Sequence, residues 1–218
     1  MFNKGIFGGA PGVEAVHTDG GIKTNDSNSY TFSSKSIGDA GAHRMVVVAG
    51  EIRISNLASP SKPSVTIDGG AATVVYQTTP FIGSFVAYRK VSSGATANIV
   101  VTRGSSDNPT QCGIAVFALN TTTSTTFDTA KASANSGNFS GSLTVEKGGV
   151  IIYAYNQYGT GGSSAAWSGA ESANNAVNAT AESTRRTFGQ VDIEEDSTST
   201  LSFTAGNGAT FAAASFVY

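Results

Sequence analysis

NGATFAAASFVY (residues 207–218) is the stretch on which the fold turns. After an Asn-Gly turn signal it is apolar, small-chained and aromatic almost without interruption. A strand of that kind has no polar face and needs cover on both sides. CGIAVFALN (residues 112–120) reads the same way, as do MVVVAGEI (45–52) and VIIYAY (150–155). Other segments alternate strictly, with Tyr30 and Phe32, Val65 and Ile67, Leu143 and Val145, or Leu201, Phe203 and Ala205 on one face and Ser, Thr or Asp on the other. That period belongs to a half-buried antiparallel strand. Gly, Asn, Asp and Ser punctuate the gaps, as in IDGGAAT, VSSGATAN, VEKGGV and TAGNGAT, which are hairpin-type turns. About a dozen strands are expected, and no amphipathic helix. The Ala-rich GAESANNAVNATAEST (169–184) lacks a stripe of large apolar residues and reads as a long loop with at most one helical turn.

The strands recur in order. HRMVVVAGEI (43–52) answers KGGVIIYAYN (147–156), and VTIDGGAATVV (65–75) answers AWSGAESANNAV (166–177). SFVAYRKVSSGATANIVVTRG (84–104) answers RTFGQVDIEEDSTSTLSFTAG (186–206), and CGIAVFALN answers FAAASFVY. Each half shows five or six strands, fewer than an immunoglobulin-like domain needs to close its own core. The sequence therefore predicts an all-β fold: a single antiparallel jelly-roll-type β-sandwich over 28–218, with pseudo-repeat halves at about 28–120 and 137–218. In it the last strand is central and pairs with the strand around Val46–Val48. NTTTSTTFDTAKASANSGN (120–138) reads as the connection between the halves. Residues 1–27 follow a different grammar, Gly-rich with Phe2, Ile6 and Phe7 standing alone, and read either as a leader without order or as an extended N-terminal arm whose three apolar side chains enter pockets on another subunit.

Composition narrows the function. The chain has 218 residues, 39% hydrophobic and 13% charged, with a net charge of −2. The charged share is about half the usual value. No basic face offers itself to nucleic acid, and no apolar run is long enough to span a membrane. The beginning lacks the apolar segment of a signal peptide, which points to assembly in a cytoplasm. Cys112, the lone cysteine, reads as a small buried hydrophobe. His17 and His43 have no partners at metal or triad spacing, so no catalytic or metal-binding residue and no cofactor is expected. Asp192, Glu194, Glu195 and Asp196 crowd one turn, a solvated hairpin tip in preference to a calcium loop. Asn25, Asn120, Asn138 and Asn178 match glycosylation sequons, which arise by chance in so Ser/Thr-rich a chain. Tyr158 and Trp167, in an aromatic-rich stretch, are the candidate carbohydrate-binding residues; the competing reading makes Trp167 a core residue.

The order of motifs, YTFSSKSIG (30–38), HRMVVVA, VTIDGGAAT, GIAVFAL, GGVIIYAY and an Ala-rich last strand, resembles a group of β-sandwich proteins encoded among the virion structural genes of tailed bacteriophages and prophages. The resemblance covers about 28–218. It implies a non-enzymatic virion component, such as a head decoration, fibre or tail accessory subunit, assembled in the host cytoplasm with capsid or tail proteins as partners. Low surface charge and strands needing outer cover add the expectation of a homo-oligomer, a trimer, in which neighbouring subunits supply that cover. The alternative is a carbohydrate-binding or host-receptor-recognition module that holds a surface glycan.

Overall fold

Runs that are apolar throughout become inner strands and runs that alternate become outer ones. The computed structural model describes residues 13–55, 60–103, 109–121, 126, 128–134, 139–145, 148–158, 166–168, 172–181, 184–192, 199–205 and 208–217. The first half holds β1 (Glu14–Lys23), β2 (Ser29–Ser36), β3 (Arg44–Ile54), β4 (Ser64–Ile67), β5 (Gly70–Ala71), β6 (Thr73–Thr79), β7 (Ile82–Lys90), β8 (Thr96–Thr102) and β9 (Pro109–Asn120). The second holds β10 (Asp128–Ala134), β11 (Phe139–Val145), β12 (Val150–Tyr158), β13 (Ala166–Ser168), β14 (Ser172–Ala181), β15 (Thr184–Asp192), β16 (Ser199–Ala205) and β17 (Ala209–Phe216). No helix occurs among the described residues, and every strand pairing is antiparallel. Strands β13, β14 and β16 are described by their backbone alone.

Each half is a pair of sheets. The first has an inner sheet ordered β1-β9-β3-β7-β6 and an outer sheet ordered β2-β8-β4-β5. The second repeats the inner sheet strand for strand as β10-β17-β12-β15-β14, and its outer sheet, β11-β16-β13, lacks a counterpart of β5 among the described residues. Period-two alternation then builds three cores. In β3, Val46, Val48 and Ile52 meet Tyr30, Phe32, Val65, Ile67 and Ile99 of the outer sheet. The intervening Met45, Val47 and Ala49 face the other way, onto Ile152, Ala154, Phe188, Ala212, Ala214 and Phe216 of the second half. A third core joins Ile151, Tyr153, Tyr155 and Phe211 to Leu143 and Val145. The layers run outer, inner, inner, outer, with β6 against β10, β7 against β17 and β3 against its own counterpart β12. That is how two copies of one face meet across a two-fold axis.

The all-β antiparallel sandwich is as expected, but the halves merge differently. They share no sheet: β17 is central, yet it pairs with β12 and β10 and not with Val46–Val48. The reason is strand number. Glu14–Lys23, assigned from sequence to the arm of 1–27, is the edge strand β1, paired with β9 from Glu14↔Asn120 to Lys23↔Cys112. Asp128–Ala134, assigned to the connection, is β10, paired along β17. With these added, each half has strands enough for its own double sheet, and the boundaries at 28 and 137 move earlier. Both strands were hard to recognise because each lies at a sheet edge, where few large apolar residues are needed. The Ala-rich segment expected as a loop contains β14, an edge strand held to β15 through a bulge between Asn175 and Val177; pairing overrides its weak intrinsic preference. The cover that the inner strands demand comes from the other half of the chain, where the sequence pointed to a neighbouring subunit.

Two local devices fit the backbone to this packing. Asp68 and Gly69, at φ of 51° and 73°, form the two-residue turn between β4 and β5 that IDGG announces. Gly50, inside β3, lies under the Phe85 ring of its register partner on β7; a Cβ there would come within 2.1 Å of that ring. Glycine admits the aromatic ring that fills the first core.

Phe216 is fully buried and meets Tyr88 edge to face, with centroids 5.5 Å apart at 84°. Phe216→Ala should cost about 3–5 kcal/mol in chemical denaturation. Tyr30, 1% exposed, donates its hydroxyl to Asn25 O at 2.9 Å. Burial first, then nearby Cys112 and Asp26, push its pKa up to about 12, against the opposing pull of Arg103. The folded state therefore holds this proton more tightly than the unfolded chain does. Stability from this group is constant below the ordinary tyrosine value of 10.0 and falls as pH rises from there through about 12. Unfolding titrations across that window should show the decline in wild type and lose it in Tyr30→Phe.

Candidate functional site

The seam between the halves is apolar along most of its length and changes character at one end. There Gln77, Ser84 and Glu51 are cross-strand neighbours on β6, β7 and β3. Ser133, Thr210 and Asn156 are cross-strand neighbours on β10, β17 and β12. The two rows join one to one. Gln77 Nε2 donates to Ser133 Oγ at 2.7 Å, the Ser84 and Thr210 hydroxyls lie 2.7 Å apart, and Asn156 Nδ2 donates to Glu51 Oε2 at 3.0 Å. Gln111 Nε2, from β9, donates to the other carboxylate oxygen, Oε1, at 2.7 Å. Glu51 is fully buried, and such a carboxylate is tolerable only where donors replace its water. Asn156 Oδ1 is left buried without a partner. A slip of two residues between β3 and β12 would set Glu51 against Ala154, so the row holds the seam in one register.

The inner sheet of the first half continues one row beyond Glu51. Arg53 and Gln111 are register partners on β3 and β9, and together with Thr24, Ile54, Phe81 and Thr110 they line a cleft of about 340 Å³. Phe81 enters on the turn Thr79-Pro80-Phe81-Ile82. Its φ of 75° is the left-handed value normally left to Gly after a Pro in such a turn. Its carbonyl accepts a hydrogen bond from Ile54 N at 2.8 Å, which pins the turn against the end of β3. At the other end of β3, Arg44 is 4% exposed and donates to the carbonyls of Val91, Gly38, Gly94 and Ser93. Burial lowers its pKa, with Asp39 and Asp68 pulling the other way. This guanidinium clamps two loops with four of its five N–H groups.

Of the residues singled out from sequence, Phe2, Ile6 and Phe7 lie outside the described residues. Tyr158 ends β12, opposite Thr184 of β15, two positions beyond Asn156. Trp167 lies in β13, opposite Phe203 of β16. The backbone thus places these two on different sheets, and their side chains are outside the description. Asp192 ends β15, while Glu194, Glu195 and Asp196 fall outside the described residues. Cys112 is buried in the first core. His17, on β1, meets Phe117 edge to face at 5.5 Å. No three His, Cys, Asp or Glu side chains come together among the described residues. The seam residues were missed, although one signal was present: Glu51 is a lone carboxylate within an otherwise apolar run.

Glu51→Ala should destabilise the chain by about 3 kcal/mol or more, since the Gln111 and Asn156 amides lose their buried acceptor. A double-mutant cycle on Ser84→Ala and Thr210→Ala, read by urea unfolding, should return a coupling of about 1 kcal/mol.

No family model matches this chain, and neither does any curated protein or solved structure.

Proposed function

We propose that the chain is a non-enzymatic structural protein of a tailed-bacteriophage virion, a head decoration, fibre or tail accessory subunit that associates with copies of itself, as a trimer, and with capsid or tail proteins. The supporting observation is the back-to-back union of two sandwiches through a fully buried seam. Three stacked cores make a stiff block, and stiffness with a charge-poor surface suits a part that must hold its shape in a symmetric shell or tail. The edge strand β1 leaves Val16 and Ile22 half exposed, which fits a contact between copies. Mass spectrometry of purified particles should find the chain at stoichiometric copy number, and light scattering of the isolated protein should give a trimer. A lone monomer that no particle contains would overturn the reading.

A second reading is a carbohydrate-binding or host-receptor-recognition module at a fibre tip. It is favoured by the cleft beyond the end of the seam, which brings an aromatic ring and several hydrogen-bonding groups together. Under this reading, Tyr158→Ala or Trp167→Ala abolishes glycan retention with the fold intact.

A further inference from the structure

We infer that the cleft in the first half, just beyond the end of the seam, is itself a binding site for a neutral sugar ring, centred on Phe81, Arg53 and Gln111. The inference deepens the recognition reading and is independent of the virion reading. The volume of about 340 Å³ lies within the range of sites that hold small ligands. Its walls divide by chemistry. Phe81, backed by buried Ile54, gives the apolar side, against which the C–H face of a pyranose can lie. Arg53, Gln111, Thr24 and Thr110 give a side of amide, guanidinium and hydroxyl groups, the planar and multiply bonding groups that match neighbouring sugar hydroxyls.

Two features go beyond a chance hollow. The Gln111 amide is held from beneath: its Nε2 donates to buried Glu51 Oε1 at 2.7 Å, which fixes the group in the cleft wall and leaves its carbonyl oxygen as the atom open to a further bond. An amide acceptor beside the Thr24 and Thr110 hydroxyls pairs with a ligand hydroxyl and gives nothing to a phosphate or carboxylate, so the ligand class proposed is the uncharged sugar. Phe81 keeps a positive φ that Gly would adopt without strain. Backbone strain retained in an aromatic residue at a cleft wall supports a functional use of the ring.

The strain also supplies the test. Phe81→Gly relieves the backbone while deleting the ring, so the thermal midpoint should hold or rise as binding is lost. The full chain, Phe81→Gly, Arg53→Gln and Tyr158→Ala are applied to an array of neutral and acidic glycans, and any retained sugar is titrated as its free methyl glycoside. We expect at least one neutral glycan to bind, with affinity reduced roughly tenfold or more by Phe81→Gly and by Arg53→Gln. Retention of no neutral glycan, retention of acidic glycans alone, or a loss confined to Tyr158→Ala would each overturn the inference. The last outcome would leave the recognition reading standing at another site.

Discussion

An inner sheet with two apolar faces has no stable exposure to water. In β3, β12 and β17 nearly every side chain is buried, because successive residues serve different cores. One set closes a sandwich with its own outer sheet, and the other closes the seam. Each large side chain withdrawn from water there contributes about 1.5–3 kcal/mol, and a domain's net margin is of the order of only a few such terms. Neither half can therefore be satisfied by its own two sheets. The seam is the condition on which both sandwiches stand.

Hydrophobic cover is non-directional, and two flat apolar faces could stack in several registers. The row of Gln77, Ser84 and Glu51 against Ser133, Thr210 and Asn156 removes that freedom, since each hydrogen bond forms only when its strand lies over one partner. Buried polar groups of this kind add little to net stability and much to uniqueness. The same row shapes the cleft, because Glu51 orients Gln111 and the β3 end that carries Arg53 stops beside it. Packing, registration and the candidate site are one continuous structure along β3.

The all-β class, the duplication and the central place of the closing strand were legible because they rest on long runs with a clear period: MVVVAGEI, VIIYAY and FAAASFVY carry their two-sided burial in their composition. The edge strands β1, β10 and β14 were not, since an edge strand is defined by its neighbour more than by its own residues. Losing β1 and β10 from the count made each half look too small, and that error led to a single pooled sandwich. The site was less legible still. Glu51, Ser84 and Asn156 become a row only through register between strands far apart in the chain, which no local pattern encodes. Phe81 did leave a trace, a Pro followed by an aromatic residue where Gly is usual, but a turn without Gly is weak evidence until its φ is known.

Synthesis runs in one direction, and the back-to-back seam gives that a cost in time. All the strands of the first half are made while the second is still being synthesised, and its inner face then has no cover at the ribosome. At about 5–20 residues per second, the remaining hundred or so residues take roughly 5–20 seconds to arrive. During that interval the nascent chain carries a sticky surface whose natural match is the same surface on a neighbouring nascent chain of the polysome. Chaperone occupancy at that stage, or slow decoding through the second half, would decide the yield of correctly joined molecules.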